Sequence, residues 1–189
     1  MVKGQYKKND INSLIRLSQQ GNINALEELI RREQKNIFTM FSYLTTKRHD
    51  IADLTQDTLL KMAKNIKKLK EPDKFKAWLN QIATNVYYDF RKKHAKDGYV
   101  EYDESLLLKI KDKIGCEPGE KCLFSEMEKL IKAALLALPE NLRIVILLRE
   151  FEGLSYDDIA KITNTTLGTV KSRISRARYK LQEELKEFI

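Results

Sequence analysis

The last quarter of the chain, Leu154–Leu185, reads LSYDDIAKITNTTLGTVKSRISRARYKLQEEL, and its periodicity decides the fold. Two short helical patterns meet there at a turn. The first places Ile159, Ala160 and Ile162 on an apolar side. The second repeats apolar residues at Leu167, Val170, Ile174, Ala177, Leu181 and Leu185. Steps of three and four residues mark one face of an α-helix. The opposite face carries Thr169, Lys171, Ser172, Arg173, Ser175, Arg176, Arg178 and Lys180. From Gly168 to Gln182 there are five basic side chains and no acidic one. An apolar back and a cationic front, set after a short helix and a turn, is how a helix-turn-helix enters the DNA major groove. The alternative is a basic amphipathic helix packed on its own domain, with its charges merely solvated.

The turn chemistry favours the first reading. Ser155 and Asp158 fit a capping box ahead of an apolar run. Asn164-Thr165-Thr166 supplies turn formers, and either threonine can cap the second helix. Gly168, lacking a Cβ, is expected to let the two helices approach closely.

Outside this segment, 35 Lys and Arg stand against 27 Asp and Glu, a net charge of +8 over 189 residues. Such a balance points to nucleic acid or another anionic surface. The distribution says more than the total. Lys61–Lys76 holds seven lysines against Glu71 and Asp73, and Arg91, Lys92, Lys93 and Lys96 follow. Together with the C-terminal helix, this makes two basic zones far apart in sequence. No apolar run approaches the ~20 residues of a membrane span. The N-terminus MVKGQYKKND has no signal-peptide core, so a cytoplasmic protein is expected.

Helical periodicity dominates, with only 7 glycines and 3 prolines and no convincing strand alternation. The expected architecture is all-α, two small helical domains joined by a flexible linker. The first domain covers residues 1–95, with helices over Asp10–Gln20, Ile23–Lys47, Asp50–Lys67 and Asp73–Lys93. Phe75, Leu79, Ile82, Val86 and Phe90 form the apolar stripe of the last, with Trp78 beside it. Lys68–Asp73, containing Pro72, reads as a loop. Residues 96–124, broken by Gly98, Gly115, Pro118 and Gly119, read as the linker, with a brief helix at Leu106–Lys113. Residues 125–189 form the second domain, with helices over Glu126–Leu138 and Glu140–Glu150 and a stop at Gly153.

The two blocks together resemble the extracytoplasmic-function sigma factors, small subunits of bacterial RNA polymerase. DLTQDTLLKMAKNIKKL (Asp53–Leu69) resembles the family's polymerase-binding helix. FKAWLNQIATNVYYDFRKK (Phe75–Lys93) resembles the helix that reads the −10 promoter hexamer. LPENLRIVILLREFEGLSYDDIAKITNTTLGTVKSRISRAR (Leu138–Arg178) resembles the domain that reads the −35 hexamer. Three motifs in this order and at this separation are strongly specific. The resemblance implies core RNA polymerase and promoter DNA as partners, and an anti-sigma factor, often membrane-anchored.

The candidate site residues follow from both readings. Asp53, Gln56 and Asp57 share one helix face, an acidic patch in a basic protein. Carboxylates also favour a helix N-terminus, which is the local explanation. The resemblance instead implies docking on the clamp helices of the large polymerase subunit. For the opened strand the candidates are the loop Lys68–Lys74 and the polar face beside it: Lys74, Lys76, Asn80 and Arg91. The resemblance implies that this loop captures a flipped base, which must offset a few kcal/mol of unstacking. Phe75 and Trp78 could stack on bases, but their place on the apolar stripe makes core packing the expectation. For the −35 hexamer the candidates are Thr169, Lys171, Ser172, Arg173, Arg176 and Arg178, with Arg173 and Arg176 favoured.

Neither metal nor cofactor is expected. Cys116 and Cys122 are spaced C-x5-C, not the usual C-x2-C of a zinc loop, and free thiols are the default. His49 and His94 add no ligand pattern. No Gly-rich phosphate loop, H-E-x-x-H or G-x-S-x-G occurs, so a non-enzyme is expected. Two rivals stand beside the sigma-factor reading. One is a helix-turn-helix regulator reading palindromic operators as a dimer. The other is a small helical enzyme acting on nucleic acid, betrayed by metal- or nucleotide-dependent turnover.

Overall fold

The computed structural model describes residues 10–94 and 120–186, with side chains from Met127 onward in the second stretch. Every regular element among the described residues is helical. The chain divides into two units, Met1–Ser42 with Lys47–Ala95, and Lys96–Ile189 with Tyr43–Thr46.

In the first unit, Asp10 opens α1 (Ile11–Gln19), its carboxylate accepting the Ser13 N–H at 2.8 Å. Gly21, at φ +91°, reverses the chain. Asn22 then accepts the Ala25 N–H at 3.0 Å and starts α2 (Ile23–Ser42). This helix stops short of the expected Lys47, whose extended backbone instead leads into α3 (Arg48–Asn65). Two 3-10 turns, Ile66–Lys68 and Pro72–Lys74, connect it to α4 (Phe75–His94). Each helix packs on the next, around Leu14, Ile15, Leu29, Phe41, Met62, Leu79 and Tyr87. The buried face of α4 is rotated from the expected stripe. Phe75, Leu79 and Val86 are buried as expected, but Ala83 and Tyr87 replace Ile82 and Phe90, which are half-exposed. A continuous 3.6-residue period carries the face through i+4 steps from Phe75 to Tyr87.

In the second unit, α5 spans Glu120–Ala137. It begins inside the expected 96–124 linker and ahead of the expected domain start at 125. The breakers Pro118 and Gly119 end just before it, and no further glycine or proline occurs until Pro139. The remainder of that linker, with the helix expected at Leu106–Lys113, lies outside the described residues. Arg143, buried on α6 (Glu140–Ile146), donates from Nη2 to the Leu136 and Leu138 carbonyls, both at 2.8 Å. It thereby satisfies carbonyls that the end of α5 leaves without helical partners. The single helix expected over Glu140–Glu150 widens into a π-helical turn, Leu147–Phe151. Gly153, at φ +66°, ends it, and the Leu154 N–H returns to the Leu148 carbonyl at 3.0 Å. Then come α7 (Tyr156–Ile162) and α8 (Leu167–Leu185). Helix α8 packs on α5, α6 and α7 through Val170, Ile174 and Ala177, which are fully buried.

Candidate nucleic-acid and polymerase interfaces

The geometry of the helix-turn-helix is set by three local devices. Ser155 Oγ accepts the Asp158 N–H at 3.1 Å and donates to Asp158 Oδ2 at 2.6 Å. The pair therefore closes hydroxyl to carboxylate around the start of α7. At the other end Asn164 takes a left-handed conformation, φ +49°, and the Thr165 N–H reaches back to the Ala160 carbonyl at 3.0 Å. That is a Schellman-type closure with asparagine where glycine is commoner. Thr166 is the second cap, its hydroxyl accepting the Thr169 N–H at 3.2 Å, while the Thr165 hydroxyl pairs with Thr163 at 3.0 Å. Gly168 does not serve close helix approach. A Cβ added there would meet nothing nearer than Thr166 Oγ1 at 3.9 Å, because the glycine faces away from α7 and into solvent.

With its apolar side buried, α8 turns Lys171, Ser172, Ser175 and Arg176 outward, and Thr169 and Arg173 are half-exposed beside them. Among the described residues no carboxylate pairs with Lys171, Arg173 or Arg176. Arg176 Nε makes only a long contact, 3.3 Å, to the Ser172 carbonyl of its own helix. Arg178 differs. Its Nη2 and Nε donate to Glu150 Oε1 at 2.6 and 3.1 Å, and this carboxylate holds the guanidinium pKa above its ordinary value. Arg178 is therefore engaged within the fold, unlike Lys171, Arg173 and Arg176. Leu167, expected on the apolar side, is 37% exposed because it begins the helix ahead of the packed turns. Arg149, on the π-helical turn, donates to the Leu154 carbonyl at 2.8 Å and lies 4.8 Å from the Tyr156 ring centre.

In the first unit, the stretch from Lys67 to Lys76 exposes Lys67, Lys68, Lys70, Lys74 and Lys76 over buried Ile66, Leu69 and Phe75. Asn80 does not belong to this surface. It is 2% exposed, and its Nδ2 donates to the Lys76 carbonyl at 3.0 Å. Its position next to Leu79 on the packed side of α4 overrides its polarity. Arg91 is not gathered with the lysines either. It lies fifteen residues beyond Lys76 on an unbroken helix, about 22 Å away at 1.5 Å per residue. Phe75 is in the core, and Trp78 is half-buried with its ring centre 6.0 Å from that of Phe75.

On α3, Asp53, Gln56 and Asp57 are all exposed. They lie beyond the first turn, whose acid is Asp50, so interaction with the helix N-terminus does not account for them. Leu60, 47% exposed, continues the same face. Asp89 of α4 pairs with Lys61 at 3.6 Å, and among the described residues no cation pairs with the acids at 53 and 57.

These surfaces lie within two stretches that match known family models. The family model described as Sigma-70 region 2 matches residues 29–97, and that described as Sigma-70, region 4 matches residues 128–181. The chain is 32% identical over 182 residues to the ECF RNA polymerase sigma-E factor of Haemophilus influenzae, covering 92% of this chain and 94% of that protein. The chain belongs to the extracytoplasmic-function sigma factors. It is 28% identical to the ECF RNA polymerase sigma factor SigW of Bacillus subtilis, covering 94% and 97% of the two chains. Among solved structures it is similar to the sigma factor RpoE of Bartonella quintana, crystallised with the anti-sigma factor NepR. That match has a TM-score of 0.67 and 28% identity over 88% of this chain and 100% of the other. A second structure, CnrH in complex with the cytosolic domain of CnrY, shares the fold at a TM-score of 0.64 and 22% identity.

As a member of this family the protein binds core RNA polymerase and directs promoter-specific initiation of transcription, which decides against the operator-binding dimer. Sigma factors are not known as enzymes. Among the described residues no helix is long and apolar enough to cross a membrane, and no cluster of His, Cys, Asp or Glu could hold a metal. His49 hydrogen-bonds Asp50 at 2.8 Å and His94 stacks near Phe90, ring centres 4.5 Å apart. Cys116 and the Cys122 side chain lie outside the described residues. Two site-related residues escaped the sequence reading. Leu60 carried a signal, since it follows Gln56 and Asp57 at helical spacing. Glu150 carried none, because its partner Arg178 is 28 positions away.

Proposed function

We propose that the three exposed surfaces divide the work of this sigma factor between them. The α3 face of Asp53, Gln56 and Asp57 docks on core polymerase, where cationic partners compensate its charges. The lysine-rich stretch Lys68–Lys76 receives the opened −10 strand. Thr169, Lys171, Ser172, Arg173 and Arg176 enter the major groove at the −35 hexamer, with Arg178 holding the helix in place through Glu150. Arg91 contacts phosphate at the far end of α4. The chemistry is binding and strand opening, with no catalytic step of the protein's own. It takes place in the cytoplasm.

One observation carries this reading most strongly. In a chain of net charge +8, an exposed acidic patch sits on one helix, while the cations concentrate on two other surfaces. A surface built only for DNA has no use for that patch. The protein is further inferred to be held by an anti-sigma factor, as the Bartonella relative is in its crystal structure. Purification with core polymerase and footprinting on genomic fragments tests the reading. The free protein should bind DNA weakly and with strong salt dependence, and the polymerase complex should protect specific promoters. Nanomolar, site-specific binding by the free protein at physiological salt would overturn it.

A further inference from the structure

The lysine-rich connection between α3 and α4 is not held by its own turns alone. Gln19, half-buried at the end of α1, donates from Nε2 to the Ile66 carbonyl at 3.1 Å and to the Leu69 carbonyl at 2.7 Å. Ile66 also accepts the Leu69 N–H at 3.2 Å, so the Gln19 amide closes over both ends of that turn. Two helical turns earlier, and hence on the same side of α1, Asn12 donates to Asp73 Oδ1 at 2.6 Å. Between and just beyond these two anchors Lys68, Lys70 and Lys74 point into solvent. Neither hydrogen-bonding residue belongs to the basic surface. Both are amides, which donate without adding charge beside the DNA path.

We propose that α1 is a strut for strand capture, in which Gln19, assisted by Asn12, holds Lys68–Lys74 in the conformation that receives unpaired bases. The inference rests on the assignment of that stretch to the opened strand. Gln19 acts through the loop carbonyls, so it is a positioning residue. A loop already pinned need not be ordered when the strand arrives. A loop in its competent conformation only a fraction of the time binds more weakly by that fraction. Loss of two neutral hydrogen bonds lowers the pinned population about tenfold.

The test uses the full-length protein with core polymerase and a single-stranded oligonucleotide carrying the −10 strand of a promoter that the complex selects. Gln19→Met keeps the length of the side chain but offers the carbonyls no donor, and it brings no charge beside the basic stretch. It should raise the Kd for the oligonucleotide about tenfold and slow permanganate-detected opening of the paired promoter. Affinity for core polymerase and preference at the −35 hexamer should stay unchanged. Asn12→Ala, at an exposed contact, should weaken oligonucleotide binding about threefold, and it serves where Gln19→Met fails to fold. An equal loss in all activities would mean that Gln19 only stabilises the fold, and an unchanged oligonucleotide Kd would dismiss the strut. Lys70→Ala with Lys74→Ala examines the underlying assignment separately. Normal oligonucleotide binding by that variant removes the loop from strand capture and the strut with it.

Discussion

Arg173, Arg176 and Arg178 share the cationic face of α8, but their surroundings differ in the structure. Arg176 is exposed and makes one long contact to its own helix, so Arg176→Ala removes nothing from the folded unit. Arg173 is half-exposed, so Arg173→Ala sacrifices some packing of its aliphatic stem and nothing of the buried Val170–Ile174–Ala177 ridge. Arg178 is already committed to Glu150 across side chains that are 54% and 44% exposed, and a pair at that exposure contributes about 0.2–1 kcal/mol to folding. The three alanine variants should therefore differ in kind. If Arg173 or Arg176 reads a base, its variant loses about 1–3 kcal/mol on the preferred promoter, roughly 5- to 150-fold, and relaxes preference at one position of the −35 hexamer. If either grips only phosphate, binding falls about equally on all sequences and the slope of log K against log salt drops by about one. Arg178→Ala should instead lower the stability of the second unit slightly, leave the preference profile intact, and show coupling with Glu150→Ala in a double-mutant cycle. Transcription from a promoter library randomised over the hexamer, with thermal melting of each variant as a control, measures all of this. At least one of Arg173 and Arg176 should prove to be a base reader. A flat profile for both, or a one-position change in Arg178→Ala, would refute the division drawn here and pass the reading role to Thr169, Lys171, Ser172 or Arg178.

Asp53→Lys combined with Asp57→Lys should weaken co-purification with core polymerase at unchanged helical content, because both side chains are exposed and neither caps the helix. Retention of polymerase would place the docking face elsewhere. Ser155→Ala or Thr166→Ala should each cost about 1 kcal/mol in thermal or denaturant unfolding of the second unit, since each removes a hydroxyl that satisfies a helix N–H. A variant as stable as the parent would show that water replaces the cap. Gly168→Ala should be neutral or stabilise by up to about 1 kcal/mol, because its Cβ has room and the position is helical. A clear loss of stability would mean that this turn packs more tightly than the 3.9 Å clearance indicates.

What could be read from the chain, and what could not, divides by sequence separation. The helix-turn-helix was legible because its signals are local. Its caps act over three residues, its turn residues are adjacent, and its buried ridge repeats every three or four positions. The exposed acids on α3 were legible for the same reason, since helical spacing alone puts them on one face. Asn80 is buried because its register on α4 outweighs its polarity. It neighbours Leu79 on the packed side, and its Nδ2 donates to the carbonyl four residues back. The engagement of Arg178 is not legible locally, because only Glu150, 28 positions away, distinguishes it from Arg176. Gln19 drew no notice because the carbonyls it serves lie 47 and 50 positions on. Surface function on a helical scaffold depends on which side chains remain unclaimed by the fold. Periodicity predicts which side chains point outward, but only the packed chain reveals which of those are already engaged. The cations at 171, 173 and 176 are therefore the stronger candidates on α8, because Arg178 is held by Glu150 while no carboxylate among the described residues pairs with these three.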